Sequence, residues 1–447
     1  LLLIDLEKKK KYWIKWKKEL EENYLKYWDQ LHKHLKRGVK LYPHQVVAAM
    51  FLNETKSALI SHDMGIGKAQ DLDSKLVTPN GLVRMGDIKV GDEVIGSDGK
   101  PKKVLGVYPQ GWKDIYEITF NDGVTTRSCD EHLWNVNTTS RNFRGNPYQT
   151  KTLREIMERG LRTKNNHHCY IPIVKPINFE EKKLDIDPYV LGCLLGDGSL
   201  TVRDRVSYTS IDEQIINEIQ NRLPENHKIQ RKNGTIKEYA IVNDGKFNAI
   251  NRAIKKYGLN GCNSYEKKIP NDYKYASIQQ RLELLQGILD ADGHIYKRNS
   301  GIELTLASKQ FIVDVQFIVQ SLGGVGRLHK KWITYKGERR LYWRLQIKLP
   351  PEFMPFKLKR KINNYIPPTK YLPNRRMKKI EYVGKREAQC IFIDSEDHLY
   401  CTDNCILTHN TLSSIAYVEM NDFEKAFVIT PNSLKFNYYN EVEKFTD

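Results

Sequence analysis

The sequence predicts a multidomain protein in which an all-β domain is interrupted by an α+β domain and flanked by helical and α/β segments. Three observations lead to this fold class. Short alternating runs with Asn-Gly and Asp-Gly turns fill residues 69–175, and similar strand-like text returns at 376–410. Helix-like and strand-like text alternates over 176–375. The ends, 1–68 and 411–447, contain a charged helix and a helix–strand–helix pattern.

Composition narrows the class of partner and compartment. The chain has 447 residues, and 72 Lys and Arg against 54 Asp and Glu give a formal net charge of +18. This excess suits a polyanion, nucleic acid first, although a merely soluble basic protein is the alternative. Seven cysteines, an odd number, argue against a disulfide framework and for a reducing compartment. We expect a cytoplasmic monomer, because no apolar run approaches the roughly 20 residues of a membrane span and no secretory pattern opens the chain.

The stretch from 61 to 75, "SHDMGIGKAQDLDSK", contains an incomplete phosphate-binding loop. Such a loop needs a Ser or Thr hydroxyl directly after its Lys to ligate Mg²⁺, but Ala69 follows Lys68. Joining Lys68 to Thr411 gives "DMGIGKTLSSIAY", which supplies the hydroxyl and opens a helix whose first amides face the anion. Residues 69–410 are therefore predicted to be an insertion in this loop.

The text on both sides of the insertion resembles one family. "LYPHQVVAAMFL", "SHDMGIGK" joined to Thr411, and "AFVITPNSLKFNYYNEVEKF" resemble the opening motifs of the Swi/Snf-type DNA-translocating ATPases of helicase superfamily two. A Gly-x-Gly-Lys run alone can arise by chance, but three motifs in order favour the resemblance. It implies that Gln45 contacts adenine and that the Walker A loop binds ATP through Gly65, Gly67, Lys68 and Thr411. We expect ATP to be used only in the complete host protein, because no acidic Mg²⁺-binding motif is present here.

The insertion itself resembles an intein, a protein-splicing element, over its whole length. Its opening run "DLDSKLVTPNGLVRMGDIKVGDEVIGSDGKPKKVLGVYP" is similar to the N-terminal splicing block, and "TTRSCDEHLWNV" is similar to the block that carries a His, here His132. "QCIFIDSEDHLYCTDNCILTHN" followed by Thr411 is similar to the two C-terminal blocks. The resemblance implies an all-β, horseshoe-like Hint domain built from 69–175 and 376–410, and autocatalytic excision of 69–410.

Splicing needs a nucleophile, an acyl acceptor and a release step. Attack of the Asn410 side-chain amide on its own carbonyl would release the insertion, with His409 polarising or protonating nearby. Thr411 has the acceptor hydroxyl, and Lys68 provides the upstream acyl group. His132 can protonate the leaving amide, which is general acid catalysis. On its own His132 would be interpreted as a structural histidine, and only its sequence block favours the catalytic role.

The first residue of the insertion departs from most inteins, which begin with Cys or Ser. Ala69 carries no nucleophile, so either an engineered replacement traps the precursor or another residue attacks. A rarer intein class starts without a nucleophile and has a Trp two residues after the His, a Cys in the penultimate block and a Thr before the His-Asn pair. This sequence has all three, Trp134, Cys390 and Thr408. We therefore favour Cys390 as the first nucleophile over an inert buried cysteine.

Other cysteines raise two further questions. Cys129 lies three residues before His132, where the family usually has Thr, so hydrogen bonding at the upstream bond is expected to differ. A cluster of possible zinc ligands consists of Cys390, His398, Cys401 and Cys405. Their spacing lacks a Cys-x-x-Cys knuckle and the text between them alternates like strands. The zinc site is therefore the less favoured interpretation, and splicing is expected to need no cofactor.

The middle region contains one pattern twice, "VLGCLLGDGSL" at 190–200 and "LQGILDADGHI" at 285–295. Small residues four apart in each copy predict two helices that approach closely. Each helix would end at an acid, Asp197 or Asp292, where the helix dipole and the other carboxylate are both unfavourable. A divalent cation would relieve both effects. A single Asp-Gly is most simply a helix stop, but two matched copies favour a metal site.

This repeated pattern resembles the LAGLIDADG homing endonucleases that are nested in many inteins. The resemblance implies Mg²⁺-dependent cleavage of double-stranded DNA at the uninterrupted host-gene site, with Asp197 and Asp292 as catalytic metal ligands. The first copy departs from the family at Leu195, where an Asp is frequent. "KKIP" at 267–270 is similar to the block that holds a catalytic Lys, so Lys267 is a candidate. A solvated surface lysine is the alternative.

DNA binding would account for the positive charge. "GRLHKKWITYK" and "RRLYWRLQIKL" alternate basic or polar residues with aromatic ones. In a sheet this alternation is predicted to place Lys and Arg on one face and the aromatic residues in the core. A solvated basic face is the simplest meaning of any one such strand. For the whole chain, the alternative function is a DNA-binding regulatory protein with degenerate splicing and nuclease motifs.

Overall fold

The computed structural model describes residues 69–138, 148–162, 168–245, 248–296, 301–335, 337–369 and 372–409. The flanking segments 1–68 and 410–447 lie outside this range. So do several of the predicted site residues, namely Gln45, Gly65, Gly67, Lys68, Asn410 and Thr411. In the described part of the chain, no helix has the length and apolar character that crossing a membrane requires.

The described residues form both of the predicted kinds of structure. The strands are β1 Gln70–Asp71, β2 Lys75–Thr78, β3 Gly81–Arg84, β4 Glu93–Ile95, β5 Pro101–Phe120, β6 Thr125–Cys129, β7 Leu133–Val136, β8 Gln149–Thr152, β9 Tyr170–Ile171, β10 Gly198–Ser199, β11 Ser207–Thr209, β12 His227–Arg231, β13 Glu238–Asn243, β14 His294–Ile295, β15 Ile302–Leu306, β16 Val325–Tyr335, β17 Glu338–Lys348, β18 Arg375–Ile393, β19 Leu399–Thr402 and β20 Ile406–His409. The helices are α1 Leu153–Arg159, α2 Pro188–Gly196, α3 Glu213–Arg222, α4 Ala249–Lys256, α5 Asn271–Lys274, α6 Ile278–Ala291, α7 Lys309–Ser321 and α8 Lys359–Ile362.

The first and last parts of the insertion fold into one β-domain. Its main sheet has the strand order β4-β5-β6-β1-β18-β9, with an additional pairing between β5 and β18. β5 has 20 residues and β18 has 19. They pair antiparallel from Met377 opposite Phe120 to Ile393 opposite Val104, with register shifts along the way. This long ribbon joins segments that lie far apart in the sequence, and it confirms an all-β domain interrupted by a second one.

The hairpin of β19 and β20 closes the β-domain and carries the last described residues. The turn between its strands contains Asn404 and Cys405 at φ values of 55° and 53°, which are costly for residues other than glycine. Arg375 holds this turn, because its guanidinium donates to the Cys405 carbonyl at 2.9 Å and pairs with Asp122 at 2.9 Å. The arginine and the aspartate are both buried. The entry of the chain into β20, which includes Thr408, is thereby fixed.

The central region is built from two similar halves. One sheet has the order β10-β11-β13-β12 and the other the order β14-β15-β17-β16, so each follows the same arrangement in chain order. Helix α2 starts at Asp187, whose carboxylate accepts from backbone amides, with Pro188 at the first helical position. Helix α6 starts with a capping box of Ser277 and Gln280. The α+β class predicted for this region is confirmed.

Helices α2 and α6 lie in direct backbone contact between the halves. A Cβ atom added at Gly192 would lie 2.3 Å from the Leu284 carbonyl oxygen, and one at Gly287 would lie 2.2 Å from the Tyr189 oxygen. Any larger residue would therefore force the helices apart. The predicted close approach of the two small-residue stripes is confirmed, and buried side chains from both halves form one continuous core.

The β-domain packs directly on the central region. The Asn178 amide of the central region donates to the Gly99 carbonyl oxygen of the β-domain at 2.8 Å. At Gly99 the φ value is +78° and an added Cβ atom would lie 2.3 Å from the Pro176 carbonyl oxygen, so only glycine fits. A buried apolar cluster includes Tyr275 of the central region and Leu407 of β20. The last splicing strand is thus supported from the other domain.

Candidate active sites

Ala69 lies at the centre of the β-domain sheet. Strand β1 runs between β6 and β18, with Gln70 opposite Ser128 on one side and opposite Gln389 on the other. Ala69 is fully buried. Its backbone nitrogen, which belongs to the upstream junction, donates to Cys129 Sγ at 3.2 Å, and its carbonyl accepts from the Cys129 amide at 2.9 Å. Cys129 thus contacts the nitrogen of the bond that splicing must break.

Cys390 lies on the other side of Ala69. Continuing the β1–β18 register by one residue beyond Gln70 places Ala69 opposite Cys390. The Cys390 side chain is buried, and its Sγ lies 3.5 Å from the Ile391 carbonyl oxygen. Burial raises the pKa of the Tyr400 hydroxyl well above its usual value, and the nearby Cys390 and Cys129 thiols raise it further. The two thiols therefore lie on either side of Ala69, and both are close enough to Tyr400 to affect its pKa.

The other two residues of the predicted signature meet through His132. The His132 Nε2 atom and the Thr408 hydroxyl share a hydrogen bond, although the residues are 276 positions apart. The His132 and Trp134 rings lie 5.7 Å apart at an angle of 71°. Thr408 and Trp134 are fully buried, and His132 is nearly so. Of the predicted signature Trp134, Cys390 and Thr408, the structure thus brings Trp134 and Thr408 together around His132.

His409 and a neighbour that the splicing interpretation missed lie at the end of β20. The rings of His409 and His398 are 5.8 Å apart, and His398 stacks on Phe392 at 6.3 Å. His398 also has a positive φ of 55°, which indicates a constrained backbone. The available signal was its position in the same strand-like block as Cys390, but the sequence analysis considered His398 only as a zinc ligand.

The zinc interpretation finds no support in the described residues. Within them, no group of three or more His, Cys, Asp or Glu side chains is arranged to hold a metal ion. Cys401 and Cys405 contact each other, and both are buried among apolar side chains. Burial raises the pKa of the Cys401 thiol well above its usual value, which opposes the thiolate form that zinc requires.

The two repeated motifs bring Asp197 and Asp292 together, as predicted. Each is the residue that ends its helix, α2 or α6. Each carboxyl group lies close enough to the other to change its pKa, and desolvation by the surrounding residues raises the pKa of Asp197. Burial and the Asp197 charge raise the pKa of Asp292 to about 6. Asp197 is half-buried and Asp292 is still accessible to solvent, so these two carboxylates, which resist joint ionisation, are a donor set that fits a divalent cation.

Lys267 is part of this centre and is not a surface residue, so the surface alternative is wrong. Only 7% of its surface is exposed. Its ammonium donates to the carbonyl oxygens of Leu195 at 2.9 Å, Gly196 at 3.0 Å and Gly198 at 2.8 Å, at the end of α2. Burial lowers the pKa of Lys267, while the Asp292 and Asp197 charges oppose that change.

Lys361 occupies the matching place at the end of α6, and the sequence analysis missed it. Its ammonium donates to Leu289, Asp290 and Gly293 carbonyl oxygens at 2.6, 2.8 and 2.7 Å. Burial lowers the pKa of Lys361 to about 8. The signal was a second short basic run, "KRKI" at 359–362, which follows the second motif as "KKIP" follows the first.

Strands β16 and β17 are basic, but their aromatic residues do not all turn inward. Trp332 is 58% exposed, and the Arg339 guanidinium lies 5.3 Å from its ring centre. Lys330 lies 5.9 Å from the Trp343 ring centre. The prediction that these aromatic residues lie in the core is therefore wrong for Trp332, while Trp343 is half-buried against the core. Contact with cations stabilises the rings on the surface, which a simple alternation rule omits.

Comparison with known proteins identifies part of the chain. Residues 279–348 match the model of the LAGLIDADG-like domain. The chain is 25% identical over 382 residues to a replicative DNA helicase DnaB of Mycobacterium intracellulare, covering 79% of this chain and 60% of that protein. It is also 28% identical over 192 residues to a probable translation initiation factor IF-2 of Methanocaldococcus jannaschii, covering 40% and 15%. This chain thus spans less than two thirds of either relative.

Two solved structures are also similar. A crystal structure of the MchDnaB-1 intein is 30% identical and covers 23% of this chain and 66% of that chain, with a TM-score of 0.18. A structure of mesophilic variants of the homing endonuclease I-DmoI is 16% identical and covers 40% and 92%, with a TM-score of 0.26. Because these TM-scores are low, the fold is assigned from the strand orders and from residues 279–348, which match the LAGLIDADG-like domain.

Proposed function

We propose that this chain, whose described part has the organisation of an intein with a nested LAGLIDADG domain, excises residues 69–410 and joins Lys68 to Thr411. The observation that carries the proposal is the place of Ala69 between two buried thiols. Cys129 Sγ lies 3.2 Å from its nitrogen, and the strand register sets Cys390 on the other side. Two relatives with unrelated names, a helicase and a translation factor, are what a shared insertion would produce.

In the first step, the Cys390 sulfur attacks the Lys68 carbonyl carbon and forms a thioester. The C–N bond to Ala69 breaks, the Cys390 thiol gives up its proton and the leaving amine takes one up, so that no net proton is gained or lost. His132 supplies that proton as general acid, oriented through its hydrogen bond with Thr408 and its contact with Trp134. The Cys129 thiol holds the same nitrogen in place. No residue at position 69 is then required as a nucleophile.

In the later steps, the Thr411 hydroxyl takes the acyl group from Cys390, which restores the thiol and leaves an ester. Asn410 then cyclises through its side-chain amide and releases the insertion. His409 polarises the carbonyl that Asn410 attacks, and His398 orients the His409 ring from 5.8 Å away. The freed Thr411 amine takes over the acyl group from its own oxygen, so the final link is an ordinary amide.

The central region is proposed to cleave double-stranded DNA at the uninterrupted host-gene site. Asp197 and Asp292 would hold Mg²⁺, which acts as a Lewis acid for phosphodiester hydrolysis. Lys267 and Lys361 place positive charge beside the pair. Exposed basic side chains on β16 and β17 would follow the DNA backbone. A purely regulatory DNA-binding protein would not need two neighbouring carboxylates at the paired helix ends, so that alternative is not favoured.

The flanking segments are proposed to be parts of a host ATPase with no activity of their own. Lys68 and Thr411 would belong to one phosphate-binding loop, and the insertion separates them. We therefore infer that ATP binds only after ligation, in the complete host. We propose that the protein is a monomer in the cytoplasm. A reducing compartment is in keeping with its seven cysteines, none of which is in a disulfide.

The mass of the freshly purified protein tests the splicing proposal. We expect two products, the ligated ends and the free insertion 69–410, accumulating in equal amounts. Dilution should leave the rate unchanged, because the reaction is intramolecular. A precursor that stays intact on long incubation under reducing conditions would contradict the proposal.

A further inference from the structure

The two lysines of the nuclease centre are held in place by different means. Both ammonium groups bind the carbonyl oxygens at the end of a helix, Lys267 from a segment of irregular chain and Lys361 from the short helix α8. For Lys267, that segment is held from α7, because Ser308 Oγ donates to the Lys267 carbonyl at 2.7 Å and Asp314 accepts from the Ile269 amide at 3.0 Å. The anchors of Lys267 thus belong to a helix outside the metal-binding motifs.

The segment before Lys361 has anchors of two kinds. Gln214 of α3 donates to the Lys357 carbonyl and accepts from the Lys359 amide, both at 3.0 Å, which corresponds to the role of α7 for Lys267. The second anchor is Asp290. Its Oδ2 atom accepts from the backbone amides of Lys357 at 2.9 Å and Leu358 at 3.2 Å, at the start of α8.

Asp290 lies inside the second motif and has no counterpart in the first. Aligning the two motifs on Asp197 and Asp292 places Leu195 opposite Asp290. The Asp290 side chain is fully buried. Besides the two amides, its Oδ2 accepts from the Tyr189 hydroxyl at 3.0 Å, and the Asp290 carbonyl accepts from the Lys361 ammonium at 2.8 Å. One residue therefore contacts both the segment that carries Lys361 and its charged end.

We propose that Asp290 is a positioning residue for Lys361, so that one half of the nuclease centre depends on a buried carboxylate that the other half lacks. This inference rests on the proposed endonuclease function. Asp290 acts through Lys361 and touches neither DNA nor metal. A duplex has two scissile phosphates and the centre has two lysines in matching places. Loss of Asp290 should therefore slow the cutting of one DNA strand more than the other.

The test compares Asp290→Leu with Asp314→Leu, which is the same chemical change at the anchor of Lys267. Leucine is the residue that the first motif already accommodates at this place. One substrate is a supercoiled plasmid that carries the gene with codons 69–410 removed, and it reports nicking. The other is a linear duplex of the same junction with a 5′ label on one strand or the other, and it reports which strand is cut. With Asp290→Leu we expect one strand to be cut about tenfold or more slowly, the other nearly as before, and nicked circles to accumulate. Asp314→Leu should instead slow the cutting of the other DNA strand, which Asp290→Leu leaves nearly unaffected.

A second readout needs neither metal nor DNA. Acetic anhydride acetylates lysines in the metal-free protein, and mass spectrometry measures each site. Lys361 is 4% exposed and Lys267 is 7% exposed, so both should react slowly in the parent. Asp290→Leu should raise the reactivity of Lys361 but not that of Lys267, and Asp314→Leu should do the reverse. A general loosening of the fold would raise both together.

Equal slowing of both strands, or equal acetylation of both lysines, would overturn the inference. If Asp290→Leu does not fold, Asp290→Asn is measured in the same two ways, with a weaker expected bias in the same direction. If the parent protein does not cut the junction plasmid, the proposed endonuclease function fails. The acetylation pattern still decides whether Asp290 positions Lys361.

Discussion

The splicing centre and the nuclease centre use burial in opposite ways. Ala69 lies between two buried thiols, and burial raises the pKa of Cys129 to about 11, which keeps its sulfur a thiol. At the ends of α2 and α6, the packed helices instead bring two carboxyl groups and two ammonium groups close together. A centre that acts on its own chain can therefore have all its reacting groups supplied by the folded protein. A centre acting on DNA keeps charges that a cation and phosphates would satisfy.

The largest expected effect comes from the nuclease side of this comparison. Asp292→Asn removes one of the two carboxylates that meet between the helices, so DNA cleavage should fall by about a thousandfold or more. Splicing should proceed at the parent rate, because Asp292 lies outside the β-domain. Plasmid cleavage and the appearance of ligated product are measured on one preparation. Loss of both activities together would refute separate centres.

The second prediction concerns pH and the stability of the metal-free protein. The pKa of Asp292 is raised from 3.8 to about 6 on folding. The folded state therefore keeps a proton that the unfolded state gives up at lower pH. The stabilisation linked to this proton is complete below 3.8 and is lost as the pH rises through about 6.

Thermal unfolding in the presence of a chelator checks this prediction. As the pH rises through the window from 3.8 to about 6, the parent should lose more stability than Asp292→Asn, whose side chain cannot ionise. Adding Mg²⁺ should restore the parent above this window and have little effect on the variant. Parallel curves for the two proteins without metal would show that the carboxyl pair does not carry a raised pKa.

The smallest expected effect lies on the splicing side. Cys129→Thr keeps an acceptor for the Ala69 amide, so breakage of the upstream bond should stay near the parent rate. Cys129→Ala removes that acceptor and should slow the step by about fivefold, which corresponds to one hydrogen bond of about 1 kcal/mol. The rate is measured by hydroxylamine-induced cleavage in an Asn410→Ala background. An inactive Cys129→Thr protein would instead indicate that Cys129 is itself the nucleophile.

Much of this architecture could be predicted from the sequence because its signals are local. The paired motifs specify two helices, their small-residue contact and the meeting of Asp197 with Asp292. The turn dipeptides and alternating runs specify the β-domain. Family resemblance grouped Trp134, Cys390 and Thr408 as a signature around His132, and the structure brings Trp134 and Thr408 into contact with that histidine.

The rest depends on contacts that no local pattern encodes. Lys361 approaches the carboxyl pair only because α8 is tied back to Asp290 and Gln214 across the fold. His398 lies beside His409 because of the β19–β20 hairpin. Trp332 remains exposed because Arg339 covers its ring, so a period of two could not place it. The predicted domain bounds and the catalytic roles stay predictions.

The central claim is that Cys390, opposite an inert Ala69, performs the first step of splicing. In the most direct measurement, the parent, Cys390→Ala and Ala69→Cys are expressed, and the mass of every product is determined. We predict that Cys390→Ala gives no ligated ends and no upstream cleavage, with at most release of the C-terminal piece through Asn410. Ala69→Cys should not improve splicing. Ligation by Cys390→Ala, or an inert parent that Ala69→Cys revives, would contradict the account.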